Sequence, residues 1–154
     1  MIRSSRLTVL LSLALAVPAA SAAAHPALHG LVPLVEVYDA RLASRPEFDV
    51  AGIRCGGLFT AQQVWSERHG GQGRPSRAQI ADIELNLTRA EIARQQRGLG
   101  LSRAFTSTRE DVLRVIDLYT TRFRSRDSGE GLPWQGDGLI TSDTAFCDIM
   151  NGRR

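Results

Sequence analysis

Apolar side chains recur at steps of three and four along most of the chain, the period of helices with one buried face. The clearest case joins Val112, Val115, Ile116, Tyr119 and Phe123 in one stripe, with Arg114, Asp117, Thr121 and Arg124 opposite. Ser107 and Glu110 have the spacing of a capping box, and Asp111 adds negative charge to the first turn. Arg122, Arg124 and Arg126 end the segment where the helix dipole favours cations. These features predict a helix that opens near Ser107.

A second helix is predicted from Arg77 to Arg97, with Ile80, Ile83, Leu87 and Ala90 in register, a Ser76–Gln79 capping box before it and Gly98 after it. Ile83, Leu85 and Leu87 alternate with Glu84 and Asn86, which alone would suit a strand, but the helical period continues on both sides. A third runs from a cap at Asp49 to Arg68 through Ile53, Cys55, Leu58, Phe59, Ala61 and Trp65. Gly56-Gly57 inside it costs about 2 kcal/mol against alanines, so it needs a packing reason such as a closely pressed neighbour. Shorter helices are expected from Leu34 to Ala43, stopped by Pro46, and from Ser142 or Asp143 through Cys147 and Ile149, closed by Asn151-Gly152. His69 to Pro75 and Ser128 to Gly138 read as loops. The expected fold is all-α: a small bundle of three main helices plus one or two short ones.

The amino-terminal end departs from this pattern. Arg3 and Arg6 precede an apolar run from Leu7 to Val17, then Pro18 and small residues, the three-part form of a secretory leader. Ala20-Ser21-Ala22 fits cleavage after residue 22, and Ala22-Ala23-Ala24 fits cleavage after residue 24. The run has about half of the ~20 apolar residues that a spanning helix needs, so no stable membrane span is expected after cleavage. The expected layout is a signal peptide over 1–22, a flexible mature arm over 23–33, rich in Pro, Gly and Ala, and a single helical domain over 34–152. All 19 basic residues are Arg, which points to a bacterial gene of high G+C content and so to the periplasm or the medium.

Export gives the two cysteines a meaning. In an oxidising compartment Cys55 and Cys147 are expected to form one structural disulfide rather than a redox pair, since they do not have C-x-x-C spacing. Closing a loop on the order of 90 residues is worth about 4.5 kcal/mol in the chain-entropy account.

Charge argues against a nucleic-acid partner. Once Arg3 and Arg6 leave with the leader, 17 Arg face 16 acidic residues, and the net charge of +1 provides no clustered positive footprint. No phosphate loop, dinucleotide fingerprint, nucleophile elbow or helical zinc motif is present. With His69 in a loop, a Ser-His-Asp set has little support.

Two local sets could carry chemistry. Cleavage exposes either Ala23-Ala24-His25 or His25 itself. The first offers Cu(II) a square plane of amine, peptide and imidazole nitrogens, and the second resembles the start of a histidine brace, with His29 near either. Trp134, among Asp127, Glu130, Asp137 and Asp143, could serve a small hydrolase or a sugar binder if the carboxylates converge. The leading expectation is neither. It is an exported, non-catalytic protein that binds another exported protein, as an inhibitor, immunity factor or chaperone does. It would need no cofactor.

Overall fold

The computed structural model describes residues 25–38 and 48–153. The leader, both cleavage positions and Pro46 lie outside them. A 3-10 turn at Pro26–Leu28 precedes five helices: α1 (Leu34–Val37), α2 (Phe48–Arg68), α3 (Arg77–Gln96), α4 (Leu101–Arg126) and α5 (Gly138–Met150). No strand occurs among the described residues, and the fold is the all-α bundle expected. No helix of the described residues is long and apolar enough to cross a membrane.

α2 is the central element. Every residue from Asp49 to Phe59 is buried, because α3, α4, α5 and the 3-10 turn surround it. A helix covered on all sides has no polar face, and from Val50 to Phe59 Arg54 is the one charged residue. The glycines supply the packing reason that the sequence demanded. A Cβ on Gly57 would lie 2.4 Å from Val115 Cγ1 of α4, and one on Gly52 would lie 2.7 Å from the Asn86 carbonyl oxygen of α3. Gly56 is less crowded, with its added Cβ 3.0 Å from Leu87 Cδ2. Bare backbone at these positions lets two helices approach α2 closely, which offsets the entropic cost of glycine.

α3 opens as predicted. The Ser76 hydroxyl accepts from the Gln79 backbone N–H at 3.2 Å, and the Gln79 side chain accepts from the Ser76 N–H at 2.9 Å. α4 does not. It starts at Leu101, with Gly100 at its cap, so Ser107 lies within the second turn and donates back to the Ala104 carbonyl. Buried Ala104 and Thr108 extend the core stripe upstream of Val112, and this burial outweighs the local capping pattern. α5 likewise starts a turn earlier than expected. Its cap is Asp137, whose carboxylate accepts from the N–H groups of Leu139 at 3.0 Å and Ile140 at 3.2 Å. The short first helix ends at Val37, and residues 39–47 are not described.

Cys55 of α2 and Cys147 of α5 are disulfide-bonded, with Cα atoms 5.6 Å apart. The link lies in the core beside Leu58, Phe59, Ile140 and Phe146, and ties the last helix to the central one.

Residues 25–33, whose composition suggests an arm loose from the core, are packed against it. Ala27 and Leu28 are each 2% exposed. Arg54 holds them there. Its guanidinium donates to the carbonyls of Ala27 at 3.1 Å and Val32 at 3.2 Å.

Candidate functional site

Arg54 stands in the middle of an apolar run, and it is fully buried. Its Nε donates to the Tyr119 hydroxyl at 2.9 Å, and its Nη2 pairs with Asp143 Oδ2. Tyr119 in turn donates to the same carboxylate oxygen at 2.5 Å, while Asp143 Oδ1 accepts from the Leu34 N–H at 2.7 Å. Burial pushes the Tyr119 hydroxyl well above its ordinary pKa against the pull of Arg54, so it remains a proton donor. Burial would lower the Arg54 pKa, but Tyr119 and Asp143 together raise it. The result is a fully partnered ionic core joining the amino-terminal segment, α2, α4 and α5. A cation in an otherwise apolar helical stretch was the sequence signal for it.

Two further ion clusters are built on buried carboxylates. Asp49 pairs with Arg94 at 3.2 Å and with Arg97, and Arg94 also reaches Asp111 at 2.5 Å and the Ser107 hydroxyl at 2.9 Å. Asp137, 1% exposed, is clasped by Arg122 at 2.7 and 3.0 Å and by Arg126 at 3.2 Å. Burial tends to raise the Asp137 pKa, but the Arg122 hydrogen bonds, the Ile140 amide and Arg126 hold the carboxyl below its ordinary value. Arg122 and Arg126 therefore grip a carboxylate of their own chain.

These contacts bear on the carboxylates around Trp134. Asp137 caps α5 and is bound by arginines, and Asp143 is buried against Arg54. Asp127 and Glu130 lie exposed in the loop, where Asp127 accepts from the Gly129 N–H at 3.1 Å. Of the four, Asp127 lines the cavity beside His69, and none lines the groove beside Trp134.

His25 and His29 differ in setting. His25 is partly buried, with its Nδ1 3.3 Å from the Ala27 N–H and its Nε2 3.2 Å from the Tyr38 hydroxyl, on which the ring stacks. His29 is exposed. Among the described residues no three His, Cys, Asp or Glu side chains form a metal-binding group. His69 stacks on Trp65 with ring centroids 4.0 Å apart, and its Nδ1 is 2.8 Å from the Trp65 carbonyl. The cavity it lines, about 240 Å³, includes Thr120 but no serine. The Thr120 hydroxyl is spent on the Ile116 carbonyl at 2.6 Å.

Two surfaces remain. One is a groove of about 520 Å³ between α2, α3, α5 and the Trp134 loop, lined by Gln62, Gln79, Trp134, Gln135, Thr141, Thr144 and their neighbours. Trp134 packs on Phe123 with centroids 4.9 Å apart, which fixes it in this wall. Asp148, at the groove, has its carboxyl raised by burial against a hydrogen bond from Gln79, and it pairs with Arg153 at 2.7 Å. The other surface is the first half of α4. Leu101, Phe105 and Leu113 are 71%, 52% and 57% exposed, and with Arg109 they follow one i, i+4 ridge along the first half of the helix.

With this geometry in view, comparison with known proteins adds no relative: no family model, curated protein or solved structure matches the chain.

Proposed function

We propose that the chain is exported through a cleaved leader, 1–22 or 1–24, and acts in the periplasm or outside the cell as a non-catalytic protein-binding domain of the inhibitor, immunity or chaperone kind. The α4 ridge carries this reading. Three large apolar side chains stand in water along one line at 71%, 52% and 57% exposure, while the buried carboxylates are committed to arginines of the same chain. An exposed row of this kind, with a cation set in it, has the make-up of an interface: aliphatic and aromatic anchors with an arginine among them. Arg109, between Phe105 and Leu113, makes no ion pair within the described residues and calls for a carboxylate on the partner. The occupant is therefore an apolar protein surface bearing an acidic group. The disulfide supports an oxidising compartment.

The test is affinity capture from a periplasmic extract, followed by binding measurements with the purified partner. Phe105→Asp should abolish the complex, and Arg109→Glu should weaken it tenfold or more. Glu84→Arg, on an exposed position of α3, should leave it unchanged. A partner held equally by all three variants, or no partner at all, would sink the reading.

A further inference from the structure

The groove beside Trp134 contains a polar group that the fold does not use. Gln62 is on α2 and 6% exposed, and its side-chain amide has no hydrogen-bond partner among the described residues. Gln62 lines the groove. Its amide atoms are not sealed inside the core but open onto the groove, where they are available to pair with a ligand.

The rest of the lining has the same character. Thr141 and Thr144 of α5 and the indole N–H of Trp134 also have no side-chain partner among the described residues. Gln135 uses only its carbonyl oxygen, which accepts from the Leu132 N–H at 3.2 Å, and its amide nitrogen is left over. The charged groups are few and of both signs: Arg74, and Asp148 already paired with Arg153. An anion would meet a single cation here, and a cation a single carboxylate that already pairs with Arg153. Paired donors and acceptors on amides and hydroxyls suit a ligand that is neutral and carries donor and acceptor together on each group. Its apolar part would lie on the aromatic wall.

We infer that this groove binds a neutral carbohydrate, with the Gln62 amide, the Thr144 hydroxyl and the Trp134 indole meeting sugar hydroxyls. A volume of about 520 Å³ is in the range of small-ligand pockets. Gly73 keeps the wall in place. It has φ +66°, and a Cβ there would lie 2.5 Å from Trp134 Cζ2, so the loop from α2 to α3 can fold over the indole edge only as glycine. The site involves none of the α4 ridge, and its success or failure is independent of the protein-binding reading.

Full-length mature protein is titrated with maltotriose, cellotriose and tri-N-acetylchitotriose up to ~10 mM, a ceiling that includes millimolar affinities. Binding is followed by saturation-transfer NMR and by tryptophan fluorescence. At least one sugar should bind. Gln62→Leu and Thr144→Val, which preserve shape, should each weaken it tenfold or more with an unchanged melting temperature. No binding by any of the three sugars overturns the inference. So does equal binding by both variants, or a peptide library that yields Gln62-dependent ligands while the sugars yield none.

Discussion

Gly57 on α2 faces Val115 on α4 so closely that a single added methyl would lie 2.4 Å from Val115 Cγ1 and 3.0 Å from its Cβ. Two helix backbones are thus brought together by the absence of a side chain. Val115 is itself fully buried and cannot turn aside into solvent. Gly57→Ala should destabilise the domain by about 1–3 kcal/mol, the usual range for overpacking a filled core. Gly138→Ala is the control, since nothing lies within 4 Å of its added Cβ and its φ is not in the left-handed region. Chemical denaturation should show it within about 0.5 kcal/mol of the parent. Adding Val115→Ala to Gly57→Ala should recover part of the loss, whereas helix propensity alone favours alanine over glycine and predicts no loss at Gly57→Ala.

The Arg54–Tyr119–Asp143 core is expected to be strongly coupled. Asp143→Ala leaves a fully buried guanidinium without its counter-charge, and should cost about 3–5 kcal/mol. Arg54→Met with Asp143→Leu removes both charges and should cost less than either single change. The single changes should also free residues 25–33, which Arg54 holds by their carbonyls, to limited proteolysis. Proteolysis at the parental rate in Asp143→Ala would contradict this role.

Two capping boxes of like sequence should respond differently. Gln79→Ala removes the acceptor for the Ser76 N–H and should lower stability by about 0.5–1 kcal/mol. Glu110 is exposed within α4, far from its first residue, so Glu110→Ala should be near neutral or slightly stabilising. Comparable losses at both sites would place a helix start near Ser107 after all.

Acid should weaken the end of α4 and the start of α5. The Asp137 carboxyl is held below its ordinary value in the folded state, so its contribution is complete above the unfolded pKa of about 4 and is lost as pH falls through the lower folded value. Stability of the parent should therefore decline between roughly pH 5 and pH 2 more steeply than that of Asp137→Asn. Parallel curves would mean that Arg122 and Arg126 contribute nothing to folding through this group.

What the sequence revealed follows how local each cause is. The Ser76–Gln79 box, the apolar stripe from Val112 to Phe123 and the two cysteines are signals contained in a few residues, and the structure follows each of them. The glycines required a neighbour without naming it, and Val115 and Asn86 lie 58 and 34 positions from Gly57 and Gly52 respectively. Gly98 and Gly100 hid the first two turns of α4, because the buried Ala104 and Thr108 are too small or too polar to read as core. The packing of residues 25–33 depends on Arg54, a cation that looks misplaced until Asp143 and Tyr119 are brought to it by folding. The Trp134 loop was legible as a candidate, but the pairing of Asp137 with Arg122 and of Asp143 with Arg54 was not. The groove is made by Gln62, Gln79 and Thr144, drawn from three helices, and no spacing along the chain joins them.

Export, closure by sulfur and binding outside the cytoplasm form one account, and the state of the native protein tests it most directly. The protein is recovered from the extracytoplasmic fraction of its own cells, trapped with an alkylating agent and weighed by mass spectrometry. The account predicts a first residue of Ala23 or His25 and no alkyl group on Cys55 or Cys147. A chain that still begins at Met1, or one with both thiols alkylated, would contradict it.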